Sequence, residues 1–215
     1  MWAGSTAAQI WLALSAPFCA IYVLRVAARV DLGVARVEAF RPSFGLAAAA
    51  ALIVAIAGLG ATSPVDALGV VIFLCGLVYL AIFDLRFLAV PVIPVLVLTL
   101  IGLVFAWFDD APSALWRAAA CVAGWLSLRA IDAFYQRLRG QSGMGSGDAL
   151  LAALIGAWLS FEGLAWAIAL GSGITLLWAK RQRIPSDQPV PLGPGLAIGA
   201  MSVVLARVVL HWGGA

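Results

Sequence analysis

Apolar runs of about twenty residues, separated by short clusters of charge, glycine and proline, follow one another along nearly the whole chain. Runs bounded in this way predict eight helices, at approximately 7–26, 45–61, 66–84, 88–108, 113–133, 148–159, 162–179 and 194–212. A membrane-spanning helix needs about 20 residues. The sixth run, at 148–159, is therefore short for a full crossing. No internal repeat stands out, and the Ala-rich stretch 47–51 is ordinary membrane-helix composition.

Composition turns these helices into membrane spans. Of 215 residues, 64% are hydrophobic and 11% charged, and the mean hydropathy is +1.07. A soluble domain carries roughly 25% charged residues, and one water-soluble core cannot bury such an apolar excess. The expected architecture is all-α: a polytopic membrane helix bundle of about eight transmembrane helices, in one integral membrane domain over 1–215. No room is left for a sizeable soluble domain. Cys19, Cys75 and Cys121 sit inside apolar runs without a CxxC pair, and read as buried free thiols. The first 25 residues carry no positive charge before their apolar stretch and read as a retained span rather than a cleaved signal.

Charge then orients the bundle. With the N-terminus outside and eight crossings, Arg25, Arg29, Arg36, Arg41, Arg86, Arg129, Arg137, Arg139, Lys180, Arg181 and Arg183 fall inside. Asp66, Asp109, Asp110 and Glu162 fall outside with only Arg117 nearby, while Arg207 lies within the last helix. Short loops obey the positive-inside rule, so both termini are expected outside. In that orientation Asp84, ending the third predicted helix, and Asp148, beginning the sixth, lie at the same inner depth. Two carboxylates at one depth in a compact bundle can be neighbours.

Each aspartate also has a simpler reading. In AIFDLRFLAVP, Asp84 precedes Arg86 by two residues and Pro91 by seven, and alone it could be a solvated interfacial group paired with Arg86. In GMGSGDALLAALIGAW, Asp148 follows Gly143, Gly145 and Gly147 and could simply cap a helix. Capping does not account for three alternating glycines, which permit positive φ and close backbone approach. As a pair, the aspartates fit an aspartic protease built at a membrane surface. Two adjacent carboxyls cannot both ionise cheaply and share a proton, so one acts as base on a water while the other hydrogen-bonds the scissile carbonyl. That chemistry requires no metal and no cofactor.

Other hydrolase designs lack the residues. A HExxH zinc site needs two histidines, and His211 is the only one. Serine–histidine catalysis would place that same His211 at the face opposite the glycine-rich loop. His211 reads more simply as an interfacial residue beside Trp212. Lys180, the only lysine, belongs to the basic cluster KRQR, a topology anchor. Trp107, Trp116, Trp158, Trp178 and Trp212 lie near predicted span ends and read as an aromatic belt. The basic segment 25–40 either lies on anionic headgroups or enforces topology. The net charge of +3 gives no reason to expect nucleic acid.

Three segments resemble the type IV prepilin peptidases, the GxGD membrane aspartic peptidases. FDLRFLAVP, with Asp84 and Pro91, resembles their D-x-R/D...I/L-P segment. GMGSGDALLAALIGAWL resembles their GxGD segment, and VPLGPGLAIGA, from Val190, resembles their I-P-F-G-P segment. The resemblance covers roughly residues 65–212, the peptidase-like core, in order and in register.

It implies a multi-pass endopeptidase of the bacterial cytoplasmic (inner) membrane, whose partners are the lipid bilayer and the helix of a prepilin or pseudopilin. The enzyme would remove the basic leader at the cytoplasmic face. Asp84 and Asp148 match the family's catalytic pair. Gly145 and Gly147 are expected to let the loop approach the substrate backbone, Arg86 to orient Asp84 or meet lipid phosphates, and Pro91 to support the site. Longer members carry a cysteine-bearing cytoplasmic domain and also N-methylate the new terminus. Residues 27–44 stand in its place here without cysteines, so zinc binding is not expected and the resemblance does not extend securely to methyl transfer. Val92 replaces the usual Asn or Asp, and Leu150 the usual Lys. These losses motivate a second expectation, a non-catalytic membrane scaffold or assembly factor of peptidase descent. A solute transporter is the weaker third, because few ionisable residues line the midplane.

Overall fold

The computed structural model describes residues 63–109, 111–140, 145–183 and 190–212. The spans expected at 7–26 and 45–61, the basic segment between them, Cys19, Gly143 and the side chain of His211 lie outside the described residues. The described chain forms five helices: α1 (Pro64–Phe87), α2 (Val92–Asp109), α3 (Ala111–Arg139), α4 (Ser146–Arg181) and α5 (Gly193–Trp212). Among the described residues there is no strand. Three of these helices, α1, α2 and α4, are long and apolar enough to cross a membrane. The described residues are thus all-helical, and their apolar helices are those of a membrane protein.

Local chemistry explains the helix ends. Ser63 caps α1: its Oγ accepts from the Asp66 amide at 3.0 Å and donates to Asp66 Oδ2 at 2.8 Å, with Pro64 as the first helical residue. At the other end Leu88 adopts the left-handed conformation (φ 49°, ψ 36°), and its N–H donates to Asp84 O at 2.8 Å. This cap ends α1 at Phe87, three residues after Asp84. Pro91 then blocks helix, so α2 starts at Val92 rather than at the expected 88. Helix α3 runs six residues beyond its expected end, because the polar stretch around Gln136 and Arg137 can continue a helix outside the apolar band.

Helix α4 is continuous only in name. Ser160 has φ 63° and ψ −171°, a backbone region that is essentially glycine's. A β-carbon placed on Gly124 of α3 would lie 2.7 Å from Ala152 O and 3.1 Å from Leu164 Cδ2. In a straight helix those two residues would be about 18 Å apart along the axis, so the chain reverses at Ser160. The two runs expected at 148–159 and 162–179 are thus separate passes. Within the described residues the chain passes six times between two poles.

Residues 146–159 form the centre of the bundle. Leu151, Leu154 and Ile155 are fully buried, together with Phe73, Leu74, Leu77 and Leu80 of α1, Val95 of α2 and Leu196 of α5. A helix apolar on every face is buried on every face, which also accounts for a correction. Trp158 does not belong to an aromatic belt. It is 8% exposed, stacks on Phe73 with ring centroids 5.0 Å apart, and donates its Nε1–H to Leu98 O at 2.9 Å. Trp107, Trp116 and Trp178 are exposed, as a belt requires.

Candidate active site

Three non-helical segments meet at one pole. Leu88–Pro91 follows α1, Gly145 precedes α4, and Val190–Leu192 precedes α5. Val90 and Val190 each stand before a proline, which favours extended backbone, so both segments run as short straps. Between them lies a cavity of about 120 Å³, large enough to hold several waters. Its wall is made by Asp84, Leu88, Ala89, Val90, Gly145, Gly147, Asp148, Val190, Pro191 and Leu192.

The two carboxyl groups come from different helices, 64 residues apart in sequence, and both face this cavity. They are close enough for the charge of Asp84 to act on Asp148. Both are buried, Asp84 at 5% exposure and Asp148 at 8%. A solvated interfacial position does not fit that burial of Asp84. The Arg86 guanidinium lies over the Phe87 ring, 5.5 Å from its centroid, and does not line the cavity. Asp84 Oδ2 is buried without a hydrogen-bond partner. The Gly193 amide lies against the same carboxyl group, short of a well-formed bond to Oδ2.

Asp148 is not the cap of its helix. Gly145 occupies that position, with φ −69° and ψ 143° and no side-chain bond. Asp148 is the third helical residue, its N–H donating to Gly145 O at 3.2 Å and its carboxyl reaching back to the Gly145 amide. That backward reach is one arm of a capping box. A capping role does not require burial, and the burial is what places the group in the cavity.

The glycines separate into two kinds. A β-carbon on Gly147 would fall 2.6 Å from Val90 Cβ and 2.7 Å from its Cγ2, so Gly147 lets the start of α4 press against the 88–91 strap. A β-carbon on Gly145 would meet only Asp148 Oδ2 at 3.5 Å, an ordinary contact, and Gly145 is exposed at the mouth of the cavity. Pro91 ends the strap, its carbonyl accepting from Val95 N–H at 3.4 Å, and does not line the cavity.

Sequence reasoning missed the apolar wall of Leu88, Val90 and Leu192. The only trace of it was the repeated Val-Pro pair. It also passed over Asp132, which is 4% exposed, accepts from Gln136 Nε2 at 2.9 Å and pairs with Arg129 at 3.8 Å. Asp132 does not line the cavity. Among the described residues, no group of three His, Cys, Asp or Glu side chains is placed to hold a metal ion.

The fold and site define a helical membrane protein that gathers two buried carboxyl groups, from separate helices, into a small cavity at one pole. Comparison with known proteins gives the family. The sequence profile of the type IV leader peptidase family matches residues 71–180, a stretch containing both Asp84 and Asp148, and the chain belongs to that family. It is 37% identical over 133 residues to the prepilin leader peptidase/N-methyltransferase of Dickeya chrysanthemi, covering 60% of this chain and 47% of that protein. Proteins of the same name from Stutzerimonas stutzeri and Pseudomonas aeruginosa are 33% and 31% identical over 145 residues, covering 64% of this chain and 47% of each relative. The chain thus spans about half the length of the curated relatives it matches. No solved structure matches it.

Proposed function

We propose that the protein is a membrane-embedded aspartic endopeptidase that removes the N-terminal leader of type IV prepilins or pseudopilins, with Asp84 and Asp148 as its catalytic pair. The observation that carries this reading is the convergence of two buried carboxyl groups on one cavity, inside the stretch that matches the leader peptidase family. The ionised carboxyl takes a proton from a water as the water oxygen attacks the scissile carbonyl carbon. The protonated carboxyl donates to the carbonyl oxygen as it becomes tetrahedral. Collapse breaks the C–N bond, and the proton taken from the water passes to the leaving amine.

The apolar straps suit a substrate that is itself a membrane helix, and the small cavity admits a short stretch of its backbone rather than an intact helix. The cavity pole is assigned to the cytoplasmic face of the inner membrane, where the basic residues gather. Full crossing by eight spans, with both termini outside, completes the topology. Val92 and Leu150 do not line the cavity, which supports the enzyme over the scaffold.

The test is cleavage of a purified prepilin or pseudopilin by the protein in detergent or nanodiscs. Asp84→Asn and Asp148→Asn should each abolish cleavage while the fold remains intact. Retained cleavage in either variant would refute the pair. Pilus assembly supported by Asp148→Asn in cells would favour the scaffold.

A further inference from the structure

We propose that Gly193 is a positioning residue for Asp84: its bare Cα and its amide, at the start of α5, hold the carboxyl group in the orientation that reaches the cavity. This rests on the peptidase reading and extends it to a residue 109 positions away in sequence. A β-carbon on Gly193 would lie 2.5 Å from Asp84 Oδ2 and 3.1 Å from Cγ, with Leu151 Cδ1 at 3.0 Å. The first figure is closer than any unbonded carbon and oxygen can approach, so the carboxyl or the helix would have to move.

Among the described residues, no hydrogen bond holds Asp84 at that oxygen. Oδ2 is buried and has no hydrogen-bond partner, while the Gly193 amide lies against the group. Gly193 is the first residue of α5, where backbone N–H groups lack partners within the helix and the dipole is positive. Pro194 follows and has no N–H, so Gly193 supplies the amide at this point. Val190, Pro191 and Leu192 line the cavity, whereas Gly193 does not. It touches the Asp84 carboxyl without being one of the residues that line the cavity. A side chain there therefore acts on turnover and leaves binding alone.

The full-length protein with its prepilin substrate tests this through Gly193→Ala. The expected result is a fall in kcat of roughly 10²-fold, the scale for displacing a reacting group by about 1 Å, with KM within about 2-fold of wild type. Adding Leu151→Val removes the hydrocarbon overlap and leaves the Asp84 overlap, so it should not restore kcat. A second measurement needs no activity. Gly193→Ala should lower the unfolding temperature by a few degrees when Asp84 is present and by clearly less in an Asp84→Ala background, where the opposing carboxyl is gone.

Wild-type kcat in Gly193→Ala, a loss confined to KM, recovery through Leu151→Val, or an equal thermal cost in both backgrounds would each overturn the proposal. A wild-type protein that leaves prepilin uncut, while the thermal coupling holds, would overturn the peptidase reading and leave the contact standing.

Discussion

The two poles of the bundle are made by similar chain reversals and treat their polar groups in opposite ways. At the Ser160 pole, Arg117 pairs with Asp109 at 3.7 Å, Asp66 and Arg207 lie near the same guanidinium, and Ser63 caps α1. Arg207 Nη2 donates to Leu159 O at 3.0 Å, filling a carbonyl that the break at Ser160 leaves without a helical partner. At the cavity pole, Asp84 Oδ2 is buried with no partner, and the straps beside it are apolar. The Ser160 pole spends these polar side chains on closing the fold, whereas the cavity pole leaves a carboxyl oxygen of Asp84 available. An unsatisfied buried group costs about 1–3 kcal/mol, and such costs concentrate where chemistry is done.

Substitutions should therefore separate the poles, activity falling at one and stability at the other. The largest effect belongs to the carboxyls: Asp84→Asn or Asp148→Asn should reduce prepilin cleavage roughly 10³-fold or more, with the thermal melt in detergent unchanged or raised. Next comes Gly147→Ala, whose β-carbon collides with Val90 and should lower kcat by about 10²-fold. Val90→Gly in that background should recover part of the loss, whereas Gly145→Ala should stay within about 2-fold of wild type. Equal damage from both alanines would mean that the loop needs glycine for flexibility and not for contact with the strap.

At the far pole, Arg207→Ala should cost about 1–3 kcal/mol by stranding the Leu159 carbonyl, read as a lower unfolding temperature. Cleavage by the folded fraction should remain at the wild-type rate. A loss of kcat at a temperature where the protein is folded would show that the poles are coupled. The smallest effect is a gain: Ser160→Gly relieves a backbone conformation that disfavours side chains, and should add about 1 kcal/mol to stability.

Much of the fold was legible along the chain. The apolar runs placed α1, α2, α3, both halves of α4 and α5 to within a few residues, except at the far end of α3. Even the break near 160 showed, as the gap between two runs. What the pattern could not show was which face of each helix packs. Lipid outside and side chains inside are equally apolar, so nothing in the sequence marks the inward face. Trp158 illustrates this: at a span end it resembles a belt residue, yet its ring is buried beside Phe73. The GxGD glycines were legible as a motif and not as contacts. Gly147 is held to its size by Val90, 57 residues earlier, and Gly145 is not held at all.

The sequence by itself pointed to a helical membrane protein, to where the described helices run, and to Asp84 and Asp148 lying near the ends of two of them. Those properties follow from the length of apolar runs and the placement of a few charges, both of which are local. Only the tertiary structure decided that the two carboxyl groups face one cavity, that Gly193 backs Asp84, and that Arg207 closes the turn at Leu159. These are contacts between residues 48 to 109 positions apart. Close packing among six passes of chain creates them, and no neighbouring residue along the sequence announces them.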